Sequence, residues 1–218
     1  MFLHKRLKVK ELPSTTLPDG RRLYHSPIGD LESVTTILAK HQDKSFLDAW
    51  RKAVGVEEAD RESKMATRHG SIIHGLAEKH LMNEDWSKGI MPNNKIIMKQ
   101  LAPLLDKHIS VIRGIEFPLW SKHLRTAGRA DLICHWDNFL MIGDFKTSKQ
   151  TLSLNDVIER GYFIQTTAYS IMLEERTGLK THHSVIINIP EHEPPVYYVA
   201  ERSNYVSECV KIFTGKVL

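Results

Sequence analysis

Asp131, Asp144 and Lys146 are of types, and at spacings, suited to hydrolytic chemistry; they lie within GRADLICHWDNFLMIGDFKTS, residues 128–148. Two apolar runs, residues 131–134 and 139–142, flank His135, Trp136, Asp137 and Asn138. The pattern predicts a β-hairpin with those four residues as its turn. Asp131 opens the first strand, and Asp144 and Lys146 lie two apart on the second. Strand side chains alternate faces, so Asp144 and Lys146 point the same way. Two carboxylates and an ammonium then converge at one edge of a small sheet. Carboxylates gather hard cations such as Mg²⁺, and a lysine beside a metal can lose charge and handle a proton.

An Asp-x-Lys by itself is more often a solvated strand pair or a surface ion pair. Here the pair follows an apolar run that should be buried, so it stands at the edge of the core, where charges need partners. Other residues have two readings as well. His74 is a buried or capping histidine or a ligand. Gln165 and Tyr169, four apart on a helix, share one face and either pack or line a site. Ser33, Thr35 and Thr36 open a helix; they cap it or hold a phosphate with its N–H groups. Arg68, Lys122, Arg125, Arg129 and Lys149 are surface charges or clamps on a phosphate backbone. Trp120 and Trp136 stack on bases or pack the core.

Gly-x-x-Asp (Gly128, Asp131), Asp-x-Lys-Thr (Asp144, Lys146, Thr147) and Gln-x-x-x-Tyr (Gln165, Tyr169), in that order, resemble the PD-(D/E)xK nuclease superfamily. The Gln-x-x-x-Tyr element is similar to that of its RecB-like branch. Within it, the chain resembles phage exonucleases and the mitochondrial genome maintenance exonuclease. The likeness runs through SVTTIL (33–38), RHGSIIHGLAEKHL (68–81), EFPLWSKHLRTAGRADLI (116–133), GDFKTSKQ (143–150) and QTTAYSIML (165–173). Asp144 stands where the family more often has Glu.

The resemblance implies a restriction-endonuclease-like α/β core, a central mixed sheet flanked by helices. It implies that Asp131, Asp144 and Lys146 are catalytic and that His74, Asp131, Asp144 and the Phe145 carbonyl hold one or two Mg²⁺ or Mn²⁺ ions. Gln165 and Tyr169 then line the site. Glu116 is a further acidic contact or a solvated strand residue, Thr147 orients Lys146 or a metal-bound water, and Ser33, Thr35 and Arg68 support DNA. Glu78, one turn beyond His74, would orient that imidazole. Imidazole suits Mn²⁺ better than Mg²⁺, so Mn²⁺ should support activity at least as well.

The elements that must position these residues are legible in outline. Residues 1–29, with Pro13, Pro18, Gly20, Pro27 and Gly29, read as an irregular arm with a short hairpin around LPDGRRLY. A helical part, 30–108, starts at Ser33 as N-cap. Helices follow over 45–54, ended by Gly55, over 57–82, and over 93–108, disturbed by Pro103. A sheet-containing part, 109–218, begins with a strand bent at Pro118. The hairpin, a helix over 155–177 closed by Gly178, strands in HHSVIINIP and PVYYVAE, and a helix over 203–215 complete it.

A chain of 218 residues with 41% hydrophobic content fits one domain, 1–218, with a proper core. The net charge of +4 favours a polyanionic partner, and DNA, single-stranded or free-ended, is the expected one. Two cysteines cannot build a disulfide framework, a zinc site or a four-cysteine iron–sulfur cluster. No apolar run approaches a membrane span of about 20 residues. The expectation is a cytoplasmic metal-dependent DNA exonuclease of replication, recombination or repair, in a bacterial or phage-infected cell, with proteins of those processes as partners. The alternatives are a nucleic-acid-binding protein with a vestigial site, and a recombination-assembly protein whose metal is structural.

Overall fold

The computed structural model describes residues 1–42 and 45–216. In chain order the strands and helices are β1 (Leu3–His4), β2 (Ser14–Thr16), β3 (Arg22–Ser26), β4 (Gly29–Glu32), α1 (Val34–His41), α2 (Ser45–Val54), α3 (Val56–Leu81), α4 (Pro92–His108), β5 (Ile109–Ser121), β6 (Thr126–Trp136), β7 (Phe139–Ser148), α5 (Leu154–Glu159), α6 (Tyr162–Thr177), β8 (His183–Pro190), β9 (Val196–Glu201) and α7 (Val206–Thr214). A mixed six-stranded sheet, in the order β1-β5-β6-β7-β8-β9, is flanked by helices, and β2-β3-β4 form a separate sheet. The α/β class and the central mixed sheet are as the sequence predicts. None of the described helices is long and apolar enough to cross a membrane.

Strand alternation divides the core into two layers. Met141 and Phe145 of β7, with Val185 and Ile187 of β8, join Ile73, Leu76, Leu101 and Leu105 of α3 and α4. Ile142 of β7 and Ile133 of β6 instead meet Ala168, Tyr169 and Met172 of α6. Each large aliphatic side chain buried this way contributes about 1.5–3 kcal/mol. The same alternation puts Asp144 and Lys146 on the α6 face, and Phe145 and Thr147 on the α3 face. Buried hydroxyls of α6 find polar partners below it: Thr166 donates to Ser184 at 2.8 Å, and Ser170 pairs with Thr181.

Local details differ from the sequence reading for identifiable reasons. The hairpin turn is two residues long, not four. His135 and Trp136 belong to β6, while Asp137 and Asn138 alone turn the chain with φ of 47° and 69°. Asp and Asn tolerate these left-handed angles, and both positive φ values suit a type I′ turn. Trp136 is fully buried and stacked on His108. Residues 1–29 are irregular only in part: the LPDGRRLY hairpin is present as β2–β3, and β1, paired with β5, and β4, which extends the hairpin, are additional strands. The helix expected over 155–177 is two, α5 and α6, broken at Gly161 with φ 69°. Ser153 caps α5 in a reciprocal capping box with Asp156.

Pro118 keeps register with Arg129, and the ladder runs unbroken through it. The register of β5 shifts instead between Ile109 and Val111 and between Ile112 and Gly114, and Glu116 has a positive φ of 46°. β1 reaches only Val111 and Ile112, so the outer edge of β5 is free of a strand at Pro118, where a missing N–H costs nothing.

Candidate metal centre

The site lies at a fork in the interior of the large sheet, not at the edge of a small one. The β6–β7 ladder ends at Leu132–Gly143. Beyond it the Phe145 N–H points toward β6 without a ladder partner, and Asp131 Oδ2 accepts it at 2.9 Å. The aspartate thus takes over from the sheet where the strands part. Through the fork, groups from the α3 side and the α6 side reach one another.

On the α6 side, Lys146 Nζ stands 2.7 Å from Asp144 Oδ2 and donates to Gln165 Oε1 at 3.0 Å. Gln165 Nε2 donates to Asp144 Oδ1 at 2.7 Å. The carboxamide therefore joins both charged residues, each of its two ends matched to the right polarity. Asp144 is 1% exposed, so this closed triangle is what makes its burial tolerable. The Lys146 ammonium also lies 4.6 Å from the centre of the Tyr162 ring. Burial alone would push the Lys146 pKa down, but Asp144 and Asp131 outweigh it and the net shift is upward. Before any metal binds, Lys146 is held as a cation by its two carboxylate neighbours.

Tyr169 closes this side. Its ring lies where a Cβ on Gly128 would be, at 2.8 Å from Cε1 and 2.9 Å from Oη. The glycine of Gly-x-x-Asp and the tyrosine of Gln-x-x-x-Tyr are thus one packing unit. Burial, then the charges of Asp144 and Asp131, hold the Tyr169 phenol well above its ordinary pKa.

On the α3 side, one donor atom each from His74, Glu116 and Asp131 falls within 4.8 Å of the others. His74 Nδ1 is 3.6 Å from Asp131 Oδ2, and its ring meets Phe145 edge-on. Burial pushes the His74 pKa down, with Asp144 and the Phe145 carbonyl opposing. The imidazole is therefore neutral, the form that binds metal. Burial, then Asp144, raises Asp131 well above the carboxylate range, and burial, then Glu78, raises Glu116. Both carboxyls lie where the chain supplies too little positive charge. A mixed nitrogen–oxygen donor set with raised carboxyl pKa values fits a divalent cation.

These groups open into one cavity of about 360 Å³. Ser33, Thr35 and Thr36 line it too; Ser33 Oγ caps α1 by accepting from Thr36 N–H at 3.0 Å. Arg129 lines it and donates to the Glu116 carbonyl at 3.1 Å.

Arg68 and Thr147 do not line this cavity, and Glu78 shares a neighbouring recess with His74 and Glu116. Arg68 is exposed. Thr147 faces α3, where its Oγ1 would be 3.1 Å from a Cβ on Gly70, so alternation turns it away from Lys146. Glu78 acts on Glu116 and, among the described residues, makes no hydrogen bond to His74. Arg22, Tyr24 and Tyr162 were not found from the sequence. Arg22 and Tyr24 line the cavity from β3, in the stretch taken as an irregular arm. Tyr162 follows Gly161, three residues before Gln165, and the glycine break was its only signal.

No family model and no curated protein matches the chain. Among solved structures it is similar to a Eubacterium rectale protein described as a candidate exonuclease. The identity is 16%, 70% of this chain and 69% of that one are covered, and the TM-score is 0.43. It is also similar to SSO0001, with 15% identity, 70% and 71% of the two chains covered, and a TM-score of 0.30. At these scores the functional reading stands on the site's own geometry.

Proposed function

We propose that the protein is a metal-dependent deoxyribonuclease that removes nucleotides from free, single-stranded DNA ends. The carrying observation is the convergence of His74, Glu116 and Asp131 within 4.8 Å, in the cavity that also holds Asp144 and Lys146. In this reading residues 1–218 form one catalytic unit, working in the cytoplasm of a bacterial or phage-infected cell in replication, recombination or repair.

His74, Asp131 and Asp144 would hold the ion, with the Phe145 carbonyl and Glu116 as further donors. Asp144 can serve although Lys146 and Gln165 occupy it, because a carboxylate offers about four lone-pair sites. One or two Mg²⁺ or Mn²⁺ ions would offset charge growing on the phosphoryl oxygens and make water more acidic. Lys146, fixed as an ammonium, donates to the attacking water or to a phosphoryl oxygen as negative charge develops. Gln165 and Tyr162 keep Lys146 aimed. Ser33, Thr35 and Thr36 receive the scissile phosphate from the side of α1, and Arg22 and Arg129 add positive charge around it.

A time course on free-ended and end-blocked DNA, single- and double-stranded, with Mg²⁺ or Mn²⁺, tests this. Nucleotide release from free ends that stops with EDTA is the expected result. Binding of DNA without products in either metal contradicts it and returns the chain to the binding or assembly class.

A further inference from the structure

A second cavity, about 540 Å³, is lined by His25 and Ser26 of the small sheet, whose Arg22 and Tyr24 line the cavity of the candidate metal centre. Its rim is made by a segment whose alternation is set by the core. Lys5 and Leu7 N–H groups donate to the Ile112 and Arg113 carbonyls, at 2.9 and 2.8 Å, laying the segment along the edge of β5. Leu7 and Val9 then pack against the α6-side core. Lys8 and Lys10 alternate with these two along the segment and are left at the surface. Both are exposed, and neither forms an ion pair among the described residues.

The floor is aromatic and cationic. Trp120 is half-buried against the small sheet, and the Arg176 guanidinium carbon lies 3.8 Å from the centre of its ring. Arg176 keeps 27% of its side chain exposed, and Glu175 Oε2 lies 3.5 Å from its Nη2, so the floor is a ring–guanidinium pair whose charge is partly offset. Planar guanidinium and indole groups are surfaces on which nucleobases stack.

Arg129 joins the two cavities. It lines the metal centre's cavity, and in the sheet it is the register partner of Pro118, which lines the second. Its guanidinium spans from the Glu116 carbonyl, at 3.1 Å, to Glu11, at 2.7 Å, also on the rim of the second. That exposed ion pair is weak and can open to a phosphate.

We propose that this recess is the track along which a single-stranded polynucleotide is held while its end lies in the metal centre. Lys8 and Lys10 contact its phosphates, the Trp120–Arg176 stack carries a base, and Arg129 hands the backbone across. A recess of this volume is of small-molecule size, and a base carried by the ring–guanidinium pair must be unpaired to reach it. The proposal rests on the nuclease reading for its direction, but its test needs no hydrolysis.

The probe is a fluorescently labelled single strand of about 20 nucleotides, longer than most single-strand footprints. Its anisotropy is followed with the full-length protein in EDTA over a range of NaCl concentrations. The double variant Lys8→Ala/Lys10→Ala should bind several-fold more weakly. Its slope of log affinity against log salt should fall by about 1.4, roughly 0.7 per lost phosphate contact. Arg176→Gln should lower affinity about fivefold or more with a smaller change in slope. Duplex of the same length should bind more weakly and lose little in either variant. Wild-type affinity and slope in the lysine double variant would overturn the track. So would full displacement by poly-glutamate together with an inert Arg176→Gln, which would assign the recess to acidic peptides. Metal-dependent hydrolysis alongside inert groove variants would leave the nuclease reading standing; groove-dependent binding without hydrolysis would do the reverse.

Discussion

On the α6 face of the sheet, buried Asp144 and Gln165 meet half-buried Lys146, and one ion pair and two hydrogen bonds close a triangle among them. On the α3 face, Glu116 and Asp131 gather beside a neutral His74, and burial raises both carboxyls. The two groups share one fork in one sheet. The difference teaches what each is for. The closed triangle is pre-organised and can aim a cation without further ligand. The open cluster has no such partner among the described residues, and in the proposed function a cation from outside supplies it.

Breaking the closed half should have the largest effect. Lys146→Ala should lower kcat by about 10²–10³, with DNA and metal affinity little changed, because the lost interaction belongs to the transition state. Single-turnover assays with separate binding titrations check this, and wild-type turnover would remove Lys146 from the mechanism.

The open half is probed through the ion. Mn²⁺ at a hundred times its dissociation constant should stabilise the protein by about 2.7 kcal/mol, a Tm rise of roughly 5–10 °C. Glu116→Gln should weaken Mn²⁺ binding by calorimetry about 10–100-fold, if its loss is comparable to that of groups supporting other metal sites. An unchanged affinity would confine Glu116 to shaping the cavity.

Tyr162 sharpens the comparison from the closed side. Tyr162→Phe keeps the ring over the Lys146 ammonium, whereas Tyr162→Leu removes a contact of about 2 kcal/mol at a desolvated site. The Leu variant should lose about tenfold or more in kcat with KM nearly unchanged, and the Phe variant should be close to wild type. Equal loss in both would assign Tyr162 to its hydroxyl or to packing alone.

The smallest effect has the most telling sign. A carboxyl whose folded pKa is raised contributes stability at low pH and loses it as pH rises through that raised value. Asp131 is such a group. In EDTA at neutral pH, Asp131→Asn should therefore raise Tm, by roughly 2–4 °C if about 1 kcal/mol is relieved. The gain should fade as pH falls and the wild-type carboxyl protonates. The Asn oxygen can still accept the Phe145 N–H. A Tm that falls at neutral pH would mean the carboxylate is already neutralised by the chain.

Much of this was legible in the sequence, and the rest fails for physical reasons. Alternation on β7 put Asp144 and Lys146 on one face, but the same rule turned Thr147 away from Lys146. Periodicity found α3 and so His74, but a helix period does not say which carboxylate a histidine meets. Glu116 enters the cluster at a positive φ inside a strand, which no propensity predicts for Glu. Arg22 and Tyr24 sat in a segment whose Pro and Gly content hid short strands. The Gly128–Tyr169 and Gly70–Thr147 contacts link motifs distant along the chain, and only packing reveals them.

The most direct test of the unbalanced cluster is anomalous diffraction at the manganese edge from crystals soaked in Mn²⁺. The account predicts one strong peak, or two close together, within coordination distance of His74, Glu116 and Asp131. Density at that wavelength elsewhere only, with those three side chains unliganded in the soaked crystal, would contradict it.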